Sequence, residues 1–217
     1  MNKLIIFGDK DLAELANFYI NNEKKYEIEC FTVHKSFLTK ETFCDKPVIP
    51  FEDIEKKYSP NEYKIFAPMT GVRMNGIRTN IYQEAKNKGY KFISYISPKC
   101  TNFASKIGEN CFILEDNTLQ PFVEIGNNVV MWSGNHIGHH SVIRDNAFFT
   151  SHVVLSGHCD VGENSWFGVN ATIRDQIKIG KYSLIAMGSL VTKNTDENGF
   201  YMGSPAKKQE KKSTEVY

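Results

Sequence analysis

The chain has 217 residues, with 26 Lys and Arg against 25 Asp and Glu. A formal charge of +1 gives no field strong enough to favour nucleic acid or an anionic membrane surface. No apolar run approaches the roughly 20 residues of a spanning helix, and the stretch before the first acids is too short for a secretory signal. Five cysteines, an odd number with no C-x-x-C pair, point to a reduced, cytoplasmic protein.

In chain order, KLIIF (3–7) is a short apolar run ending at Gly8 and suits a buried parallel strand. The next segment puts Leu12, Leu15, Ala16 and Tyr19 on one helical face, and Asp11 followed by Glu14 resembles a capping box. Residues 26–33 read as a strand, 51–58 as a short helix and 63–69 as a third strand. A helix over 78–89 stops at Gly89, and 91–96 is a fourth strand closed by Ser97-Pro98. Alternating strands and helices imply a small parallel sheet with right-handed crossovers, so residues 1–97 read as a truncated Rossmann-like α/β domain. Such a sheet places a ligand crevice at its strand ends, near Gly8, Asp9, Lys10 and Thr32, Val33, His34. A dinucleotide is not expected there. Asp9, Lys10 and Asp11 stand where further glycines would be, and the two acids would repel a pyrophosphate.

From Ile107 to Val191 an apolar residue returns at every sixth position, and the residue four further on is usually small or β-branched, such as Cys111, Ser141 or Ala171. Neither helix nor strand has that period. A parallel β-helix does, each hexad being a short strand and a turn, stacked into one buried column. The expected organisation is therefore domain 1–97, an all-β parallel β-helix over 98–196, and a C-terminal loop and tail over 197–217. The last residues, charged and aperiodic, are expected to fray.

Five of the six histidines fall between 136 and 158. If three hexads make one coil, residues 18 apart stack at about 4.8 Å, so His140 pairs with His158 and His139 lies beside Gly157. The bland reading is a set of solvated turn residues. Two functional ones compete with it: a neutral imidazole acting as general base, and a metal site of several imidazoles.

The in-phase hexads behind a βαβ-type domain, together with IGHHSV (137–142), IAMGSLV (185–191) and MGSPAK (202–207), resemble the left-handed β-helix acetyltransferases. The chain is similar, more narrowly, to the bacterial sugar acyltransferases of sialic acid O-acetylation and bacillosamine N-acetylation. That resemblance implies a homotrimer using acetyl-CoA and no metal, with sites in the grooves between neighbouring β-helices. The acceptor is a sugar or nucleotide sugar, and the transfer goes by direct attack to an amine or a hydroxyl. It makes His139 the catalytic base, with His140 beside it where the family carries an acid, and it puts the oxyanion-binding backbone donor at His152. By the same resemblance the pantetheine arm passes Ala186, Gly188, Gly203, Pro205, Ala206 and Lys207, with Lys207 or Lys208 toward the phosphates. The acceptor lies by His158 and the crevice. The acids that read uracil in relatives are replaced by Thr32, Val33 and His34, so uridine does not carry over. A γ-carbonic-anhydrase-like metal site and a non-enzymatic trimeric scaffold are the alternatives from other classes.

Overall fold

The computed structural model describes residues 2–217. It divides into two compact units, one of the described residues up to 70 together with 80–94, the other of 71–79 and 95–217.

The first unit comprises β1 (Asn2–Phe7), α1 (Asp11–Glu23), β2 (Tyr26–Val33), β3 (Thr42–Phe43), β4 (Lys46–Pro50), α2 (Ile54–Lys57), β5 (Tyr63–Phe66), most of α3 (Gly76–Asn87) and β6 (Lys91–Phe92). The sheet order is β3-β4-β2-β1-β5-β6. Its pairs are parallel except β3 with β4. Ile5, Cys30, Phe51, Ile65, Ala85 and Tyr90 form part of its buried core.

Several local expectations need correction. The capping box at Asp11 is absent, because α1 begins at Asp11 itself. Lys10 occupies the cap with extended backbone and no side-chain bond, and its carbonyl accepts from Ala13 and Glu14 N–H at 2.9 and 3.0 Å. The strand expected over 63–69 ends at Phe66, just before Pro68, which has no N–H to offer a ladder. The run 91–96 serves two sheets. β6 pairs with β5, whereas Tyr95–Ile96 pairs with Phe112–Ile113 in the second unit. Ile93 and Ser94 join the two pairings, and a run this short carries no periodic mark of where its partner changes.

The second unit is the β-helix. Strands β7 to β23, from Tyr95–Ile96 to Leu190–Val191, are two residues each and stack into three parallel sheets. From Lys106 to Val191 partners are 18 residues apart, as in Phe112↔Val130, Thr118↔His136 and Glu124↔Val142. The residues leading the hexads fill the column: Ile113, Met131, Phe149, Ile173 and Ile185 are buried, and Ile107 at the open end is half-buried. Small residues face them at the bends, where Ser141 and Ser165 donate to the carbonyls of Ser156 and Gly180 at 3.1 and 3.0 Å, so the column buries no orphan hydroxyl there.

A second six-residue period lies in the backbone. Every sixth residue from Asn110 to Gly188 has φ between +55° and +80°. This left-handed turn is open to glycine and relatively tolerant of Asn, Asp and His. Three columns of corners result. One carries Asn110, Asn128, Asn146 and Asn164, whose amides bond from coil to coil (Asn110 to Asn128 at 2.8 Å, Asn128 to Asn146 at 2.7 Å). Segment 71–79 seals this corner. Asn75 donates to the Asn164 carbonyl at 2.9 Å, and the buried Arg78 guanidinium donates to the carbonyls of Asn128, Asn146 and Ala147. Burial pushes its pKa down to about 9.

The tail does not fray. Strand β24 (Gly199–Met202) extends the first β-helix sheet, and β25 (Lys207–Lys212) returns antiparallel on it. A last turn, Ser213–Val216, is tied by Ser213 Oγ to the Tyr182 carbonyl at 2.6 Å, and the Tyr217 ring lies 4.6 Å from Trp166. A charged edge strand is held by backbone bonds, which composition does not reveal.

Candidate active site

The second corner column runs Phe122, His140, His158, Gln176, all with left-handed backbone. Because His140 and His158 hold the same turn one coil apart, their rings stack with centroids 4.9 Å apart and planes 12° from parallel. Phe122 continues the stack at 4.6 Å from His140. His139 precedes this corner on the same coil. Its ring stands edge-on to both, 5.2 Å from His140 and 5.0 Å from His158. All three imidazoles are exposed.

Two contacts fix His139. Its Nδ1 is 3.0 Å from Nδ1 of His140, so one ring donates and the other accepts. On the other side a Cβ placed on Gly157 would stand 3.0 Å from Cε1 and 3.1 Å from Nε2 of His139, so a glycine gives the ring its room. The main chain is held as well: His139 N–H donates to Gln120 Oε1 at 2.9 Å, and the His139 carbonyl accepts from His158 N–H at 2.9 Å. If His140 accepts at Nδ1, the Nε2 lone pair of His139 is free on the Gly157 side.

His152 lies apart from this group. It belongs to the third corner column, with Asp116, Gly134, Asn170 and Gly188. Its ring lies over Gly134, where a Cβ would meet Nδ1 at 2.5 Å, and its N–H is engaged by the Ser133 carbonyl at 3.2 Å. The physical reason is arithmetic. His152 is 13 residues beyond His139, whereas one full coil of 18 arrives at Gly157. Among the described residues no acceptor is found for the Gly157 N–H.

The remaining candidates of the second unit meet around the last coils. Ala186 N–H donates to the Tyr201 carbonyl at 2.9 Å, Leu190 N–H to Gly203 at 3.0 Å and Ala206 N–H to Leu190 at 2.8 Å. Pro205 and Lys207 are exposed on that turn, as are the apolar Met187 and Met202. Gly188 is exposed with φ +65°, and no atom lies within 4 Å of where its Cβ would stand. Lys208 is held by Asp196 at 2.9 Å, which leaves Lys207 as the freer cation.

In the first unit Gly8 N–H donates to the Thr32 carbonyl at 2.8 Å, joining the two strand ends of the expected crevice. Thr32 is fully buried, its hydroxyl spent on the Ile49 carbonyl at 2.8 Å, and Asp9 and Val33 are buried too. Lys10 is exposed, and His34 sits between Glu52 and Glu84 at 3.4 and 3.2 Å. Those two carboxylates were not legible as neighbours of His34, since they come from segments 18 and 50 residues further along the chain.

The family model "Bacterial transferase hexapeptide (six repeats)" matches residues 104–139, and "Hexapeptide repeat of succinyl-transferase" matches 160–193. A putative acetyltransferase of Saccharomyces cerevisiae is 26% identical over 187 residues, covering 74% of this chain and 88% of the yeast protein. Serine acetyltransferase 4 of Arabidopsis thaliana is 31% identical over 99 residues, covering 41% of this chain and 28% of the plant protein, so the match spans little more than a quarter of that relative. Among solved structures, the acetyltransferase domain of PglB from Neisseria gonorrhoeae superposes with a TM-score of 0.84 at 21% identity, covering 96% of this chain and all of that domain. Perosamine N-acetyltransferase from Caulobacter crescentus, solved with CoA and GDP-perosamine, gives a TM-score of 0.86 at 16% identity, with 96% and 97% covered. At these identities the solved structures speak for the fold, and the repeat models speak for the hexads. The chain thus carries hexapeptide repeats of the kind found in bacterial transferases, and its fold, an α/β unit followed by a left-handed β-helix, is similar to that of solved acetyltransferases.

Proposed function

We propose that this protein transfers the acetyl group of acetyl-CoA to a sugar, at the amine of a nucleotide-linked amino sugar, by direct attack with His139 as general base. The observation that carries the reading is the pinning of the His139 ring between Gly157 and His140. With His140 accepting from Nδ1, Nε2 takes the proton from the acceptor nitrogen as that atom attacks the thioester carbonyl. The oxyanion donor is assigned to the Gly157 backbone N–H, which stands beside the ring, instead of His152, whose N–H is engaged elsewhere.

The last coils fit a slender thioester arm. Gly188 leaves an open cradle, Met187 and Met202 offer apolar contact, and Lys207 is a point charge for a phosphate. His139 and Gly188 occupy different corner columns of one chain. A homotrimer solves this by laying the Gly188 corner of one copy along the His139 corner of its neighbour, and His158 then borders the acceptor. In the first unit, Gly8, Lys10 and His34 are the accessible crevice residues for the acceptor's nucleotide, over a floor that contains Asp9, Thr32 and Val33.

The test is thiol release. Acetyl-CoA incubated with the protein should yield free CoA thiol only when the right acceptor is present, and a panel of nucleotide-linked amino sugars with their hydroxyl counterparts separates N- from O-transfer. Thiol release unaffected by any sugar would refute the reading. A second expectation concerns Gly157→Ala. The new methyl displaces the His139 ring by a few tenths of an ångström, so kcat should fall about 10- to 100-fold with the thermal midpoint nearly unchanged. Equal turnover in that variant would remove Gly157 from the site.

A further inference from the structure

We infer that His139, His140 and His158 form a binding site for a borderline divalent metal ion, with zinc as the representative. One ligand nitrogen from each ring can be chosen so that all lie within 4.8 Å of one another. The Nδ1 atoms of His139 and His140 are 3.0 Å apart. A tetrahedral zinc with bonds of about 2.0–2.1 Å spaces its ligand atoms roughly 3.3 Å apart. That pair is thus already near coordination spacing, and the third nitrogen closes the set by a shift on the order of 1.5 Å, which a rotation of an exposed ring supplies.

The backbone does much of the organising. His140 and His158 have φ of +58° and +57° at equivalent corners, so their side chains leave the chain in parallel, one coil apart. His139 adds a third imidazole from the neighbouring position, and the solvent side stays open for a water in the fourth place. Imidazole nitrogen suits zinc, copper and nickel in preference to magnesium or calcium. Among the described residues no carboxylate is within ion-pairing distance of the three rings. Lacking the acid that usually orients a ligating histidine, the site takes up and releases its ion readily instead of holding it permanently.

The ion would occupy a nitrogen of the ring proposed as the base. Zinc therefore acts as a reversible inhibitor, a consequence that rests on the acetyltransferase reading, whereas binding itself does not. The experiment is calorimetric titration of chelator-stripped, untagged full-length protein with zinc chloride, without acyl donor. One zinc per chain is expected, and His158→Gln should weaken binding at least tenfold. Gln is a tolerated replacement because Gln176 already holds the next corner of that column with φ +59°, and metal-free thermal unfolding verifies that the variant folds. His152→Asn, at a corner of another column, should bind zinc as the parent does. Absence of saturable binding, undiminished binding by His158→Gln, or an equal loss in His152→Asn would each overturn the proposal. Tight zinc binding that leaves acetyl transfer at full rate would support the metal site and refute His139 as the base.

Discussion

His139→Ala should lower kcat by about 10²- to 10⁴-fold, the range of a positioned general base, while acetyl-CoA binding measured by calorimetry stays within about twofold. The effect is specific because the side chain is exposed and contributes nothing to the buried column. Its loss therefore should not unfold the coil, whose main chain at this point is held by Gln120 Oε1 and by His158 N–H. The deficit should shrink at higher pH, as a growing fraction of the acceptor's amine loses its proton without help. Full turnover by the alanine variant would show that the proton leaves by another route and that the stacked imidazoles serve something else.

Phe167→Ala should be among the most damaging single changes to stability in the hexad-leading column. Phe167 is fully buried, and its ring stacks on Phe149 of the preceding coil at 4.4 Å with planes 11° from parallel. Truncating such a residue costs about 3–5 kcal/mol, against a total of about 5–15 kcal/mol for a typical domain. Coils in a rod touch only their neighbours, so the cavity cannot be relieved from a distance. Denaturant unfolding should report the loss directly, and Phe167→Leu should recover most of it. A cost below about 1 kcal/mol for the alanine variant would mean that the column collapses around the gap.

The β-helix was legible because its period repeats at the level of single residues. Ile107 to Val191 set the phase, and the register of 18 then gave the stack of His140 on His158 and the space beside His139. The separation of His152 from the other histidines was not legible, because a residue one hexad from His158 shares its hexad position but stands at another corner. The turn conformation was only partly legible. Asn and Gly at the fourth position hint at φ > 0, yet Phe122, Tyr182 and three histidines adopt it too, since the coil geometry imposes it on whatever stands there. Arg78 was invisible for a different reason. Inside a helix an arginine normally reads as solvated surface, and only the tertiary structure reveals that it caps carbonyls of a sequence-distant corner. The tail escaped because Ser213 and Tyr217, its anchors, are single residues in a charged stretch.

The left-handed corners have a consequence for how such a chain can change length. An insertion of one to five residues rotates every following side chain off its face, so the column that was inside turns out to water. Six residues restore the inside but move each corner to the next edge, which would carry the His158 position away from His140. Only eighteen leave every edge as it was, adding one storey of about 4.8 Å to the rod. The molecule therefore grows or shrinks in whole storeys, and the spacing along its axis between the histidines and Gly188 is a count of floors, adjustable by integers alone.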